Sequence, residues 1–312
     1  MILAIDLCSS DDLCSSDTDQ AMMQGKNIGD LLNDRGVTWG GFMGGFDLTK
    51  TNANRTTGCK RSTVTPTVDA ATTDYIPHHN WFQYFKSTAN LQHLRPGSVS
   101  AIGHSLASDG KTADPANHEY DIDDFFAAIK ARNYPAVSFL KAPAYQDGHA
   151  GYSDPLDEQV FKTHVVHFLQ QQPEWESTTI IVLWDDSDGW YDHAYAAPTH
   201  ASFDAQADQV NGAGKCGDGD APVGVNGGPV NGRCGPGTRI PFLVISPWAK
   251  RNFVDHPRIV EASVTRFIED NWLDSQRLGG GSFDATAGSI MDMFDFHGGP
   301  REHKFGPCDR RA

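Results

Sequence analysis

From Thr178 to Trp184 the chain reads TTIIVLW, an unbroken apolar and β-branched run, and Asp185 and Asp186 follow it at once. Such a run is expected of a strand covered on both faces in a parallel sheet. The carboxyl end of that strand then faces the crevice where open α/β sheets bind ligands. Two adjacent carboxylates in that position repel each other unless a cation lies with them, and their oxygens suit a hard or borderline divalent ion. Asp188 and Gly189 turn the chain, and Asp192 and His193 add a carboxylate and an imidazole within the same short loop. The plainer reading is an Asp-rich turn that caps the next element.

The rest of the chain alternates helical and extended patterns with long polar connections. The spacing predicts a short helix over Asn27–Asn33, ended before Gly36, and then a strand over Val37–Phe42. Thr49–Ala71, rich in Thr and Asn, reads as loop. Asp121 starts a helix that turns Phe125, Phe126 and Ile129 inward, with Lys130 and Arg132 near its negative end. A strand over Ala136–Leu140 precedes a helix from Pro155 to about Gln171, with Asp154 as its N-cap. On that helix His164 and His167 share a face and read as partly exposed residues rather than ligands. Ile240–Ser246 is a strand, and Val260–Trp272 a helix whose Val260, Val264, Phe267, Ile268 and Trp272 are expected in the core. His256 precedes it in a loop, as a local hydrogen-bonding residue or a ligand. Phe283, Met291, Met293, Phe294 and Phe296 are expected to wrap back over the core.

At 312 residues the chain can hold one large α/β domain, and its net charge of −15 argues against nucleic acid and anionic membrane as partners. No apolar run approaches the roughly 20 residues that cross a bilayer, and Met1–Asp6 is too short for a signal peptide. The six cysteines point to an oxidising setting. Cys216 and Cys234 bracket a glycine-rich excursion over 207–237, where a disulfide would restrict the loop; Cys14 with Cys59 is a second candidate pair, leaving Cys8 and Cys308 unpaired.

Several blocks occur in an order that carries a resemblance: GKNIGDLL with GVTWGGF (Gly25 to Phe42), DYIPHHNWFQYF (Asp74 to Phe85), NHEYDIDDFF (Asn117 to Phe126), AVSFLKAPAYQDGHAGYSDPLDEQ (Ala136 to Gln159), the DDSDGWYDH run, RIPFLVISPWAKRNFVDH (Arg239 to His256) and SVTRFIEDNW (Ser263 to Trp272). Together they resemble the bacterial phosphoesterase family that contains the non-specific phospholipases C and metal-dependent acid phosphatases, relatives of the alkaline phosphatase superfamily. The resemblance implies a three-layer α/β/α sandwich like the alkaline phosphatase fold. It also implies one divalent metal ion held by Asp185 and Asp186 with a Glu-Asn pair and a Ser or Thr nucleophile from an amino-terminal part. His79 and His149 would line the phosphate site as catalytic residues, with His78, Asp192 and His193 around them.

The sequence departs from that pattern at its start. It contains no Glu-Asn dipeptide, its first glutamate is Glu119, and Asp6–Asp11 (DLCSSD) is repeated at once as Asp12–Asp17. The expectation is therefore an N-terminally incomplete sandwich, with an atypical 1–24, a phosphoesterase domain over 25–297 and a polar tail over 298–312. Phosphate ester hydrolysis would be impaired by the missing groups. The substrate would be a small molecule or a phospholipid head group, bound through a local positive field from metal, His79, His149, Lys141 or Arg239. Ser153 is the nearest substitute hydroxyl, but it reads better as part of the helix start. Two alternatives are a catalytically silent fragment that binds metal or phosphate, and a promiscuous carboxylic esterase, for which no GxSxG elbow is present. The intact parent is expected to be secreted or periplasmic, and a sheet edge left open by the missing strand would favour a homo-oligomer.

Overall fold

In the computed structural model, which describes residues 8–17, 20–65, 67–185, 194, 239–297 and 299–300, Asn27 opens helix α1 (Ile28–Asp34) with a reciprocal capping box to Asp30. Its side chain takes the otherwise unpaired N–H groups of Gly29 and Asp30, so the polar GKN stretch becomes a helix start rather than a loop. The apolar face of α1, Ile28, Leu31 and Leu32, is buried, and the chain turns at Gly36 (φ 65°) into strand β1 (Trp39–Met43). A hairpin of β2 (Ser62–Val64) and antiparallel β3 (Ala71–Thr73) occupies part of the stretch read as loop. Strand β4 (Glu119–Asp121) runs directly into α2 (Ile122–Lys130), because Asp121 ends the one and caps the other. Strand β5 (Val137–Lys141), helix α3 (Pro155–Gln170), strands β6 (Ile180–Leu183) and β7 (Phe242–Ile245), and helix α4 (Ala262–Trp272) follow, and ahead of α1 Cys8–Ser9 and Gln20–Ala21 pair in parallel as a two-residue ladder. Asp154 caps α3 through the N–H groups of Leu156 and Asp157, as its sequence predicts.

The described residues form two units. The first holds those up to Lys162 and Ile268–Gly280; the second holds the remainder. In the first, β1 lies between β4 and β5 in a parallel three-stranded sheet, with Phe42 opposite Tyr120 on one side and Leu140 on the other. α2 packs on β1 and β4, with Phe125, Ala128 and Ile129 buried. Trp39, Phe42 and Tyr120 are fully buried, and Trp39 stacks on His118 at 4.5 Å between ring centroids. A disulfide joins Cys14 to Cys59, the pairing expected for those two, and Cys8 is a free thiol. Cys216, Cys234, Cys308 and the 207–237 excursion lie outside the described residues.

The second unit corrects an expectation. β6 pairs antiparallel with β7, Ile180 opposite Ile245 and Leu183 opposite Phe242, and it is half-buried along its length. The TTIIVLW run is thus apolar without being a doubly covered parallel strand among the described residues, because β-branched composition reports pleated packing and not strand direction. Ser246 seals the end of the pair by donating to the Thr178 carbonyl at 3.0 Å. Phe294 stacks on Phe267 and is buried. Phe283, Met291 and Phe296 stay largely exposed, as does Trp272 of the first unit, against the expectation that they close the core. The mixed α/β architecture agrees with the expected class. No helix among the described residues is long and apolar enough to cross a membrane.

Gly44 follows β1 where the backbone of Pro143 comes against it, and a Cβ there would collide with the Pro143 nitrogen and Cα. Gly44→Ala is expected to destabilise the protein by roughly 1–3 kcal/mol, the usual range for overpacking. The check is a urea unfolding curve, with a lowered midpoint and an unchanged slope.

Candidate functional site

Both histidines singled out from the sequence sit in the first unit, on segments that come together. Pro77–His79 forms one turn of 3-10 helix, with proline at its first position, and Asn80 ends it and caps the next turn through the Phe82 N–H. Asn80 is fully buried and donates from Nδ2 to Glu119 Oε2 at 2.6 Å, so the turn carrying His79 is anchored to the start of β4. Burial pushes the Glu119 carboxyl well above the usual carboxylate range, and its Oε1 has no hydrogen-bond partner. The protonated acid is the form that burial favours there.

His149 arrives from β5. The chain leaves Lys141, passes Pro143, turns through Ala144–Gln146 and reaches Asp147 and Gly148, the latter at φ 81°. Only glycine fits that position without strain, and a Cβ would also meet the Glu158 carboxylate at 2.8 Å. The rings of His79 and His149 lie 6.2 Å apart between centroids. Tyr152 completes the group, 4.5 Å from the His149 ring and 5.8 Å from that of His79, and the His78 ring stands edge-on to His79 at 4.6 Å. All four residues are half-buried.

Asp147 is the residue that sequence reading passed over. Its Oδ1 accepts from the backbone N–H of His149 at 3.0 Å and from the Ser153 hydroxyl at 3.2 Å. Its Oδ2 lies 3.5 Å from His79 Nδ1 and has no hydrogen-bond partner, with the side chain only 2% exposed. Burial pushes the carboxyl up to about 6, against the lowering influence of the His149 N–H, Lys141 and Ser153. The available signal was its place in DGH, where an acid and a histidine two residues apart flank a glycine. Ser153 is buried, and its oxygen also accepts from the Gly148 N–H at 2.8 Å, so the hydroxyl shapes the turn.

Asp185 stands exposed two residues past the end of β6, in the second unit. Asp186, Asp192 and His193 lie outside the described residues. As a donor set, two adjacent carboxylates after a strand suit a hard divalent cation. His164 and His167, read as partly exposed, are exposed, and so is His256.

A second group has ligand atoms within 4.8 Å of one another: Asp12, Cys14 and His93. Its chemistry does not fit a metal. The Cys14 sulfur is spent in the disulfide. Asp12 Oδ1 accepts from the Cys14 N–H at 2.8 Å, and its Oδ2 from Gln83 at 2.7 Å and the Tyr75 hydroxyl at 3.0 Å. His93 bridges the same Oδ2, at 3.2 Å, and the Phe46 carbonyl, at 3.0 Å. Burial raises the Asp12 carboxyl, but His93, Cys14 and Tyr75 together outweigh it and hold Asp12 below the usual range. The group is a buried polar knot that ties the segment before α1 to the core, and neither Asp12 nor His93 had been singled out.

The model of the Phosphoesterase family matches residues 9–273 of this chain. The chain is 30% identical over 158 residues to the non-hemolytic phospholipase C of Pseudomonas aeruginosa, covering 49% of this chain and 22% of that protein. It is 28% identical over 220 residues to the hemolytic phospholipase C of the same organism, covering 70% of this chain and 26% of the relative. It is also 28% identical over 230 residues to the non-hemolytic phospholipase C of Burkholderia pseudomallei, covering 70% and 30%. The chain thus spans less than a third of the length of these relatives.

A carboxylate held below its unfolded value gives stability that is complete above about pH 4 and lost as pH falls through the folded value. Asp12→Asn is therefore expected to lower stability at pH 7 by about 1–3 kcal/mol. The gap between variant and wild type should close on acidification below about pH 4. Urea midpoints measured from pH 7 to pH 3 test both the size and the sign.

Proposed function

Because the chain belongs to the phosphoesterase family, we propose that it is a hydrolase of phosphate esters, with His79 and His149 as phosphate-binding residues and, as a separate assignment from the sequence, Asp185 and Asp186 as ligands of one divalent metal ion. The observation that carries this reading is the meeting of two imidazoles, 70 residues apart in sequence, at 6.2 Å beside a buried carboxylate. Each ring nitrogen reaches an acceptor oxygen at about 2.8 Å, so nitrogens from the two rings can engage different oxygens of one tetrahedral phosphoryl group. Protonated imidazoles neutralise charge on those oxygens, and an imidazole can also give a proton to the leaving alcohol. His78 and Tyr152 border the cluster and shape the group it accepts.

A divalent metal ion, when bound by Asp185 and Asp186, would supply Lewis-acid chemistry. Asp192 and His193 are proposed as supporting residues in the same loop as the two ligands. The substrate class, by analogy with the named relatives, is a phosphodiester such as a phospholipid head group, or a small phosphomonoester.

A second reading is metal or phosphate binding without turnover, favoured by the structural employment of Ser153. One experiment separates them. A chromogenic phosphomonoester and a phosphorylcholine ester are offered to the purified chain with divalent metal, with chelator, and with an Asp185→Asn, Asp186→Asn double variant. Hydrolysis that falls on the order of 100-fold or more in both the chelated and the variant samples is expected. A folded chain that takes up metal in calorimetry and yields no product establishes the second reading. Turnover that survives both chelator and variant overturns the metal assignment.

A further inference from the structure

We infer that Asp147 is a positioning residue that orders both histidines of the cluster at once: its Oδ2 directs the His79 ring, and its Oδ1 fixes the turn that presents His149. The inference rests on the reading of this cluster as a phosphate site, and it adds a residue and a role that reading does not need.

The geometry sets what each oxygen does. Oδ1 is committed, accepting from the His149 N–H at 3.0 Å and the Ser153 hydroxyl at 3.2 Å. Oδ2 is buried without a hydrogen-bond partner, in a side chain 2% exposed, and His79 Nδ1 stands 3.5 Å away. A buried acceptor left unmade costs free energy, and the histidine proton is the donor at hand. A small rotation of the His79 ring brings Nδ1–H onto Oδ2. A proton held on Nδ1 makes Nε2 the nitrogen that titrates, so the carboxylate chooses the tautomer. The same arrangement of carboxylate behind imidazole orders histidines in hydrolases and metal sites generally.

The charge relation runs the same way. An ionised Asp147 favours the imidazolium form of His79, which is the form that donates to an anion. The other groups facing this pair are Lys141 from the end of β5, whose charge acts on Asp147, and His149, Tyr152 and His78, whose rings border that of His79. Burial favours the protonated Asp147 and the Lys141 charge the ionised one, and binding of a phosphoryl anion beside His79 strengthens the ion pair by drawing a proton onto the imidazole.

The test uses the full chain labelled with 15N-histidine, and three proteins: wild type, Asp147→Asn and His79→Ala, the last assigning the His79 resonances. In the wild type, His79 is expected to show the Nδ1–H tautomer when neutral and to titrate above the roughly 6.5 of a free histidine. In Asp147→Asn that titration is expected to move down by about one pH unit, inorganic phosphate to bind about tenfold more weakly at pH 6.5, and hydrolysis, where present, to fall roughly 10- to 100-fold. Urea unfolding confirms that the variant is folded. An Nε2–H tautomer in the wild type, or a His79 titration unmoved by Asp147→Asn, overturns the inference even where phosphate binds and turnover proceeds. The wild-type spectrum decides this without any variant having to fold. Failure of the phosphate-site reading looks different, because wild type and His79→Ala would then bind phosphate equally poorly while the tautomer and titration still report the Asp147 pairing.

Discussion

The strand β1, WGGFM, governs the arrangement of the first unit because its glycines leave its surface bare where other segments must come close. A Cβ on Gly41 would meet Glu119 Oε1 at 2.8 Å and the Phe82 ring at 3.0 Å. Phe82 and Glu119 are the two residues through which Asn80 is held, and Asn80 directly follows His79. One residue past the strand, Gly44 lets the Pro143 backbone come against it, and Pro143 leads the turn to Asp147 and His149. The two histidine segments are thus seated on glycines three residues apart at the carboxyl end of one buried strand. Interiors packed to crystal density leave no slack for an added methyl at such contacts, so the spacing of the two imidazoles is fixed by the absence of side chains beneath them.

Three buried acids show how environment, rather than burial alone, decides what a carboxyl group does. Asp12 collects donors from Cys14, Gln83, Tyr75 and His93 and stays ionised in the interior. Glu119 has a single donor, Asn80, and burial drives it towards the neutral acid. Asp147 lies between these limits, with one oxygen fully engaged and the other aimed at a titratable ring. A group whose charge state is set by what its neighbour holds suits a site where an anion comes and goes. The first two have the partners of structural residues.

Much of this was legible in the chain. The helix starts at Asp121 and Asp154 are read directly, since a short polar side chain before an apolar period has few other uses, whereas Asn27, read as the first helical residue, caps α1 from outside it. The Cys14–Cys59 disulfide and the exposure of His164 and His167 also agree with their patterns. The direction of β6 was not legible, because period and composition are the same for parallel and antiparallel pairing until the partner strand is known. Trp272 fits the helical apolar stripe and yet lies on the surface, because a stripe marks a face and does not say how far along the helix that face is covered. Asp12 and Asp147 were missed for one reason: their partners, His93 and His79, are 81 and 68 residues away, and no local pattern announces such a meeting.

The acidity of the chain sharpens the case for the imidazoles as the source of positive field in this unit. At the carboxyl end of the parallel sheet the strong cations are already engaged. Arg61 is buried between Asp74, at 3.1 Å, and Asp121, at 3.6 Å. Arg95 pairs with Asp124, at 2.5 Å, and with Asp47. Lys50 pairs with both Asp121 and Asp123. Charges committed in this way hold the loops after β1 and β4 together, and little of their field is left for a ligand. Lys141, which the sequence offers as a phosphate-binding cation, acts on Asp147. An anion approaching His79 and His149 therefore meets groups whose charge depends on protonation. On the function proposed for this cluster, the binding energy of such an anion would come chiefly from placing protons on imidazoles that Asp147 orients.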